Sequence, residues 1–155
     1  MNRLIQLVLA TSLAVCTATV SYSVLAQTAP TMMTADSGDT VFDHFGGKAG
    51  VGKVIDDFLV IWQADPRISG RLADADVDRL GALLKEQVTQ LTGGPAMYSG
   101  KDMQTAHAQM GLHNVDFNAL AEDLQLSMEK NGIPSRDQNK LLAKLAPMQK
   151  QIVTK

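Results

Sequence analysis

The chain has 155 residues, a single cysteine, and 14 basic against 16 acidic side chains, a formal net charge of −2. That balance offers no basic face to a nucleic acid, and one cysteine can form neither an internal disulfide nor a cysteine metal cage. The length suits one domain with one buried core.

Met1, Asn2 and Arg3 carry one positive charge ahead of the uncharged, largely apolar run Leu4 to Val15, the layout of a secretory leader. A spanning helix needs about 20 predominantly apolar residues, and this run dissolves first into Cys16, Thr17, Thr19, Ser21, Tyr22 and Ser23. Val24-Leu25-Ala26 before Gln27 presents an acceptable cleavage pattern, so residues 1–26 read as a signal peptide and the protein as exported, to the periplasm or its equivalent. The alternative is a lipid anchor at Cys16, although Val15 stands where a lipoprotein box has Gly, Ala or Ser. Cleavage after Ala26 removes Arg3, the one charged residue of the leader, and leaves 13 basic against 16 acidic residues, no cysteine and no stable membrane span. Residues 27–40, rich in Thr, Ala, Ser and Gly with Pro30, have no period and few large apolar groups, and read as a flexible linker.

From Gly46-Gly47 onward apolar residues fall at helical spacing. Val51, Val54, Ile55, Phe58, Leu59 and Trp62 follow i, i+3, i+4, i+7, i+8, i+11 and predict one helix over Lys48 to Gln63, ended by Asp65-Pro66. After a short mixed stretch, Asp76 is an N-cap for a helix with the stripe Val77, Leu80, Leu84, Val88 and Leu91, stopped by Gly93-Gly94-Pro95. A loop through Tyr98 and Gly100 leads to a short helical stretch, Asp102 to Met110, on which Met103, His107 and Met110 share a face. Asn114 caps a helix carrying Phe117, Leu120, Ala121, Leu124 and Met128, which ends at Gly132-Ile133-Pro134. Ser135 and Gln138 have capping-box spacing and open a last helix with Leu141, Leu142, Leu145, Met148 and Ile152, bent at Pro147. No segment alternates with period 2 as a strand would, so the class is all-α. An inward histidine on a short segment between glycine-bearing loops points to a ligand pocket rather than a plain bundle. His44 and His113 read as solvated turn residues, and the acids at 56, 57, 74, 76 and 78 as caps or a solvated face without a fixed pair.

The series Phe42-Asp43 before Gly46-Gly47, Val54-Ile55-Asp56-Asp57-Phe58, Ala64-Asp65-Pro66, Gly93-Gly94-Pro95, Tyr98-Ser99-Gly100, Met103 with His107, and Ala146-Pro147-Met148 resembles the group I truncated haemoglobins from about Val41 to Val153. Each piece alone is weak; their order and spacing together are specific. The resemblance implies a truncated globin domain over 41–155, a two-over-two helical sandwich around haem b, with His107 as the iron ligand. It implies that Phe58, Leu59, Leu72, Val77, Leu80, Leu84, Val88, Tyr98 and Met103 line the haem pocket. Arg79, Tyr98 and Ser99 become candidates for the haem propionates.

The sequence also departs from the family pattern. Leu59 follows Phe58 where group I members typically have a tyrosine, and Leu84 stands where many have a glutamine. Leu59, Leu80, Leu84 and Val88 therefore imply an apolar distal pocket that holds dioxygen loosely, and Leu59→Tyr is expected to slow its release. Arg71-Leu72 align with a corner where globins press a phenylalanine on the haem. The function implied is reversible binding of a diatomic gas (dioxygen, nitric oxide or carbon monoxide), more a binding role than an enzyme, with an electron donor not identifiable from the sequence. Two other readings fit the same residues: haem-dependent redox or nitric oxide chemistry in the envelope, and a haem-free globin-like interaction module.

Overall fold

In this computed structural model residues 40–155 are described; the leader, Cys16 and residues 27–39 of the linker lie outside the described residues. Thr40 caps the short helix α1 (Val41–His44): its hydroxyl accepts from the Asp43 N–H at 3.1 Å, and the Asp43 carboxylate accepts in return from the Thr40 N–H. Gly46 and Gly47, at φ +82° and +65°, turn the chain into α2 (Gly47–Ala64) through a region that side chains disfavour. The whole stripe from Val51 to Trp62 is buried, and Asp65 caps the end of the helix. Trp62 ties that end to the 3-10 turn Ser69–Leu72, its indole N–H donating to the Ile68 carbonyl at 3.0 Å.

Asp76 accepts from the Arg79 N–H at 3.0 Å and starts α3 (Val77–Thr92), which Gly93 closes at φ +93°. Helices α2 and α3 approach closely at Gly81, where an added methyl carbon would stand 3.0 Å from a Leu59 methyl. Helix α4 (Met103–His107) is shorter than the stretch to Met110 expected from spacing: after His107 the chain tightens into a turn, Met110 N–H to His107 carbonyl, and Gly111 is left-handed at φ +58°. Helix α5 (Asn114–Lys130) is capped by His113, one residue before the expected Asn114; its N–H donates to the Asp116 carboxylate at 2.8 Å. Helix α6 (Ser135–Leu145) also starts differently. Pro134 is the cap and Ser135 is already helical, so no Ser135–Gln138 box forms; Gln138 is buried and donates to the Ile133 carbonyl at 2.8 Å. Pro147 interrupts the last helix as a 3-10 turn, Ala146–Met148, before α7 (Gln149–Ile152).

Helix α2 packs on both α3 and α5, α5 packs on α6, and α3 reaches α6: a two-over-two globin arrangement, with no strand among the described residues. Among them no helix is long and apolar enough to cross a membrane. At the α2–α5 crossing Ser127, fully buried, donates to the Val54 carbonyl at 2.6 Å, its small side chain letting the backbones come close.

Several charges are more fixed than the sequence suggested. His44 is not a solvated turn residue: its Nδ1 lies 2.9 Å from Asp137 Oδ2 and ties α1 to α6. Burial of Asp137 opposes its charge, but Lys140, His44 and Arg136 outweigh that and keep its carboxyl below the usual range. Asp57 likewise has fixed partners, hydrogen-bonded by Lys130, Lys53 and Asn131 and held far below the ordinary carboxylate range. His113 is exposed, as expected.

Asp123 on α5 is the opposite case. It is 2% exposed, one of its oxygens has no hydrogen-bond partner, and burial first, then the charge of Asp65, push its carboxyl above the usual range. The folded state therefore holds this proton more tightly than the unfolded chain, and stability falls as pH rises through the folded value. Asp123→Asn is expected to raise the melting temperature at pH 7, by an amount that shrinks as pH falls toward about 4, the unfolded carboxylate range. Melting curves of both proteins across that window check it; a pH-independent difference contradicts it.

Candidate functional site

The stripes of α2, α3 and α5 face inward, yet α4 is only five residues long and does not fill the space beside them. A cleft of about 300 Å³ remains, walled by Ile55, Phe58 and Trp62 of α2, Leu80, Leu83, Leu84 and Val88 of α3, and Phe117, Leu120 and Leu124 of α5. Leu145, Met148 and Ile152 close its C-terminal side. Among the described residues four larger polar side chains reach this carbon wall: Arg71, Gln87, Tyr98 and His107.

The loop before α4 is pinned to α3. Gln90 accepts from the Tyr98 N–H at 2.8 Å, and Glu86 accepts from both the Ser99 N–H at 2.9 Å and its hydroxyl at 2.6 Å. Those bonds hold the Glu86 carboxyl below its usual range. Tyr98 curls over Gly100, donating its hydroxyl to the Lys101 carbonyl at 2.9 Å; a Cβ at position 100 would lie 2.3 Å from that hydroxyl oxygen. Asp102 then caps α4 by accepting from the Thr105 N–H at 2.8 Å. The result carries His107 to the cleft wall on a short, well-anchored turn.

His107 Nδ1 stands 2.7 Å from the Met103 carbonyl oxygen. A carbonyl has no proton to give, so Nδ1 is the donor. In the neutral ring Nε2 then carries the lone pair. Among the described residues no three His, Cys, Asp or Glu side chains gather into a metal cage. A metal at His107 would take its other donors from outside such a cluster.

Of the residues expected at the site, Phe58, Leu72, Leu80, Leu84, Val88, Tyr98, Met103 and His107 line this one cleft. Leu59 and Val77 do not. Leu59 is turned into the α2–α3 contact against Gly81, and Val77, in the first turn of α3, packs partly buried against the core. Arg79 is exposed and off the wall, and Ser99 is engaged by Glu86. Sequence reasoning missed Gln87 and Arg71 as wall residues. Gln87 shares the α3 stripe, three residues after Leu84 and seven after Leu80, a signal hidden by its polar side chain.

Residues 40–154 match the family model described as bacterial-like globin. The chain belongs to the bacterial-like globin family. It is similar to the group 1 truncated haemoglobin GlbN of Synechocystis sp., 32% identical over 99 residues that cover 61% of this chain and 80% of that protein. The GlbN of Mycolicibacterium paratuberculosis is 28% identical over 115 residues, 74% of this chain and 85% of that protein. In three dimensions the chain is similar to the crystal structure of truncated haemoglobin from Tetrahymena pyriformis in its Fe(III) form, with a TM-score of 0.72 and 27% identity, covering 75% of this chain and 99% of that one.

Globins are haem-iron proteins, and haem is the cofactor of this one. The residues of the cleft fit it: an apolar wall suits the porphyrin ring, and a half-buried imidazole with one ring nitrogen committed to the backbone suits its iron.

Proposed function

We propose that this globin reversibly binds a diatomic gas (dioxygen, nitric oxide or carbon monoxide) at haem iron ligated by His107. The observation that supports this reading is the 2.7 Å contact of His107 Nδ1 with the Met103 carbonyl, which makes Nδ1 the donor and leaves the Nε2 lone pair available to a metal. Haem, when bound, would supply the iron to which the gas coordinates. The chain holds the ring nitrogen in place and keeps water out with Leu80, Leu84 and Val88.

These α3 side chains offer no hydrogen bond to a ligand. Of the other polar wall groups near them, the Tyr98 hydroxyl donates to the Lys101 carbonyl, and Gln87 Nε2 is turned toward the sulfurs of Met103 and Met148, weak acceptors at 3.5 and 3.7 Å. Of the three gases dioxygen gains most from a neighbouring donor, on the order of 1 kcal/mol. It is therefore released quickly. Because Leu59 lies off the cleft wall, the donor test belongs at Leu84, which is on it. Leu84→Gln is expected to slow dioxygen release by roughly fivefold to tenfold while changing carbon monoxide release little. Equal changes for both gases in stopped-flow traces would contradict a hydrogen-bond effect.

Haemin titration of the purified protein, followed by ferrous spectra under carbon monoxide and dioxygen, tests the whole reading. A stoichiometric Soret band that shifts reversibly with each gas is expected; a colourless protein that refuses haemin overturns it. Rapid catalytic consumption of nitric oxide or peroxide would favour an enzyme instead. Export remains part of this proposal and rests on the composition of residues 1–26 alone.

A further inference from the structure

We propose that Arg71 anchors a carboxylate of the bound haem, an assignment that rests on the haem reading above. Among the described residues Arg71 supplies the one guanidinium or ammonium group on the wall of the cleft. Its side chain is 35% exposed, which puts it at the rim rather than the floor. Haem is an apolar ring with two carboxylates at one edge: the ring goes to the carbon wall, the carboxylates to a rim with water and positive charge.

The guanidinium is held there in advance. Its Nη1 donates to the Met110 carbonyl at 3.2 Å and its Nη2 to the Asp116 carboxylate at 2.9 Å. Met110 follows His107 by three residues, and its own N–H is bonded to the His107 carbonyl. The cation thus stands beside the segment that carries the iron ligand. A guanidinium has five N–H donors in a plane, so Asp116 and Met110 share it without using it up. Three donors remain for a second carboxylate. Of the groups that sequence reasoning put in this role, Arg79 is off the wall, Ser99 bonds Glu86, and Tyr98, though on the wall, donates its hydroxyl to the Lys101 carbonyl.

The test compares the rate of haem loss to excess haem-free myoglobin for wild type and Arg71→Met, each loaded with haemin or with haemin dimethyl ester, whose carboxylates are capped. Arg71→Met is expected to speed loss of haemin by about threefold to tenfold, a range set by a charged hydrogen bond at a partly exposed site. Loss of the ester should stay at the wild-type rate, which also shows that the variant cleft is intact. Arg71→Lys should recover part of the haemin effect. Equal acceleration with haemin and ester would make the role one of shape and overturn the assignment, as would an unchanged haemin rate. A wild-type protein that takes up neither compound would overturn the haem reading itself, and this assignment with it.

Discussion

Replacing His107 with alanine is expected to abolish tight haem binding, lowering the affinity on the order of a hundredfold or more, since even groups that only orient a metal ligand are worth tenfold to a hundredfold. The apolar wall stays intact in this variant and still gives haemin a weak partition, so the loss should appear as a broad, displaced Soret band that saturates late. The fold should survive. His107 is on a five-residue helix, half-buried, and outside the main core cluster, so far-UV circular dichroism is expected to match wild type. Imidazole added to the haemin-treated variant should restore a sharp spectrum, because it occupies the gap left by the deleted ring. A variant that binds haemin as tightly as wild type, without imidazole, would remove His107 from the site.

Gly50→Ala is expected to cost about 3 kcal/mol or more, at the upper end for overpacking, because the obstacle is backbone. A Cβ at position 50 would lie 1.6 Å from the Phe45 carbonyl oxygen, and Phe45 is itself buried in the core at 2% exposure. No rotamer relieves that contact; α1 must move away from α2 or the first turn of α2 must open. For a domain of this size the loss corresponds to a melting temperature lower by roughly 10 °C. Gly52, two residues on in the same helix, has no atom within 4 Å of an added Cβ. Gly52→Ala should therefore stabilise, by about 0.5–1 kcal/mol, through helix propensity alone. Thermal melts of the two variants separate these effects, and a common sign would contradict the close approach of the Phe45 carbonyl to Gly50.

The helices were legible in the sequence because an apolar stripe at period 3.6 records one buried face. Val51 to Trp62 on α2 is such a record, and all six residues are buried. The breakers were equally readable where their chemistry is local, as at Asp76, Gly93 and Pro147. Helix starts were less so: His113 and Pro134 cap helices in place of Asn114 and Ser135, since backbone direction at a turn decides which neighbour is already helical.

At the site, phase and family resemblance brought His107 and seven apolar or aromatic neighbours to one wall. Leu59 escaped because adjacent residues on a buried stripe differ by about 100° of helix rotation. Which of Phe58 and Leu59 meets the cleft depends on where α3 passes, and Gly81 lets α3 pass over Leu59. Arg71 was visible only as a missing aromatic. Its role depends on Met110 and Asp116, 39 and 45 residues away, and no local pattern encodes that meeting.

The most direct test is a crystal structure of the haem-loaded protein. His107 Nε2 is expected within bonding distance of the iron, with Nδ1 still donating to the Met103 carbonyl. An iron ligated by any other side chain, or a His107 ring turned away from the porphyrin, would contradict the central claim.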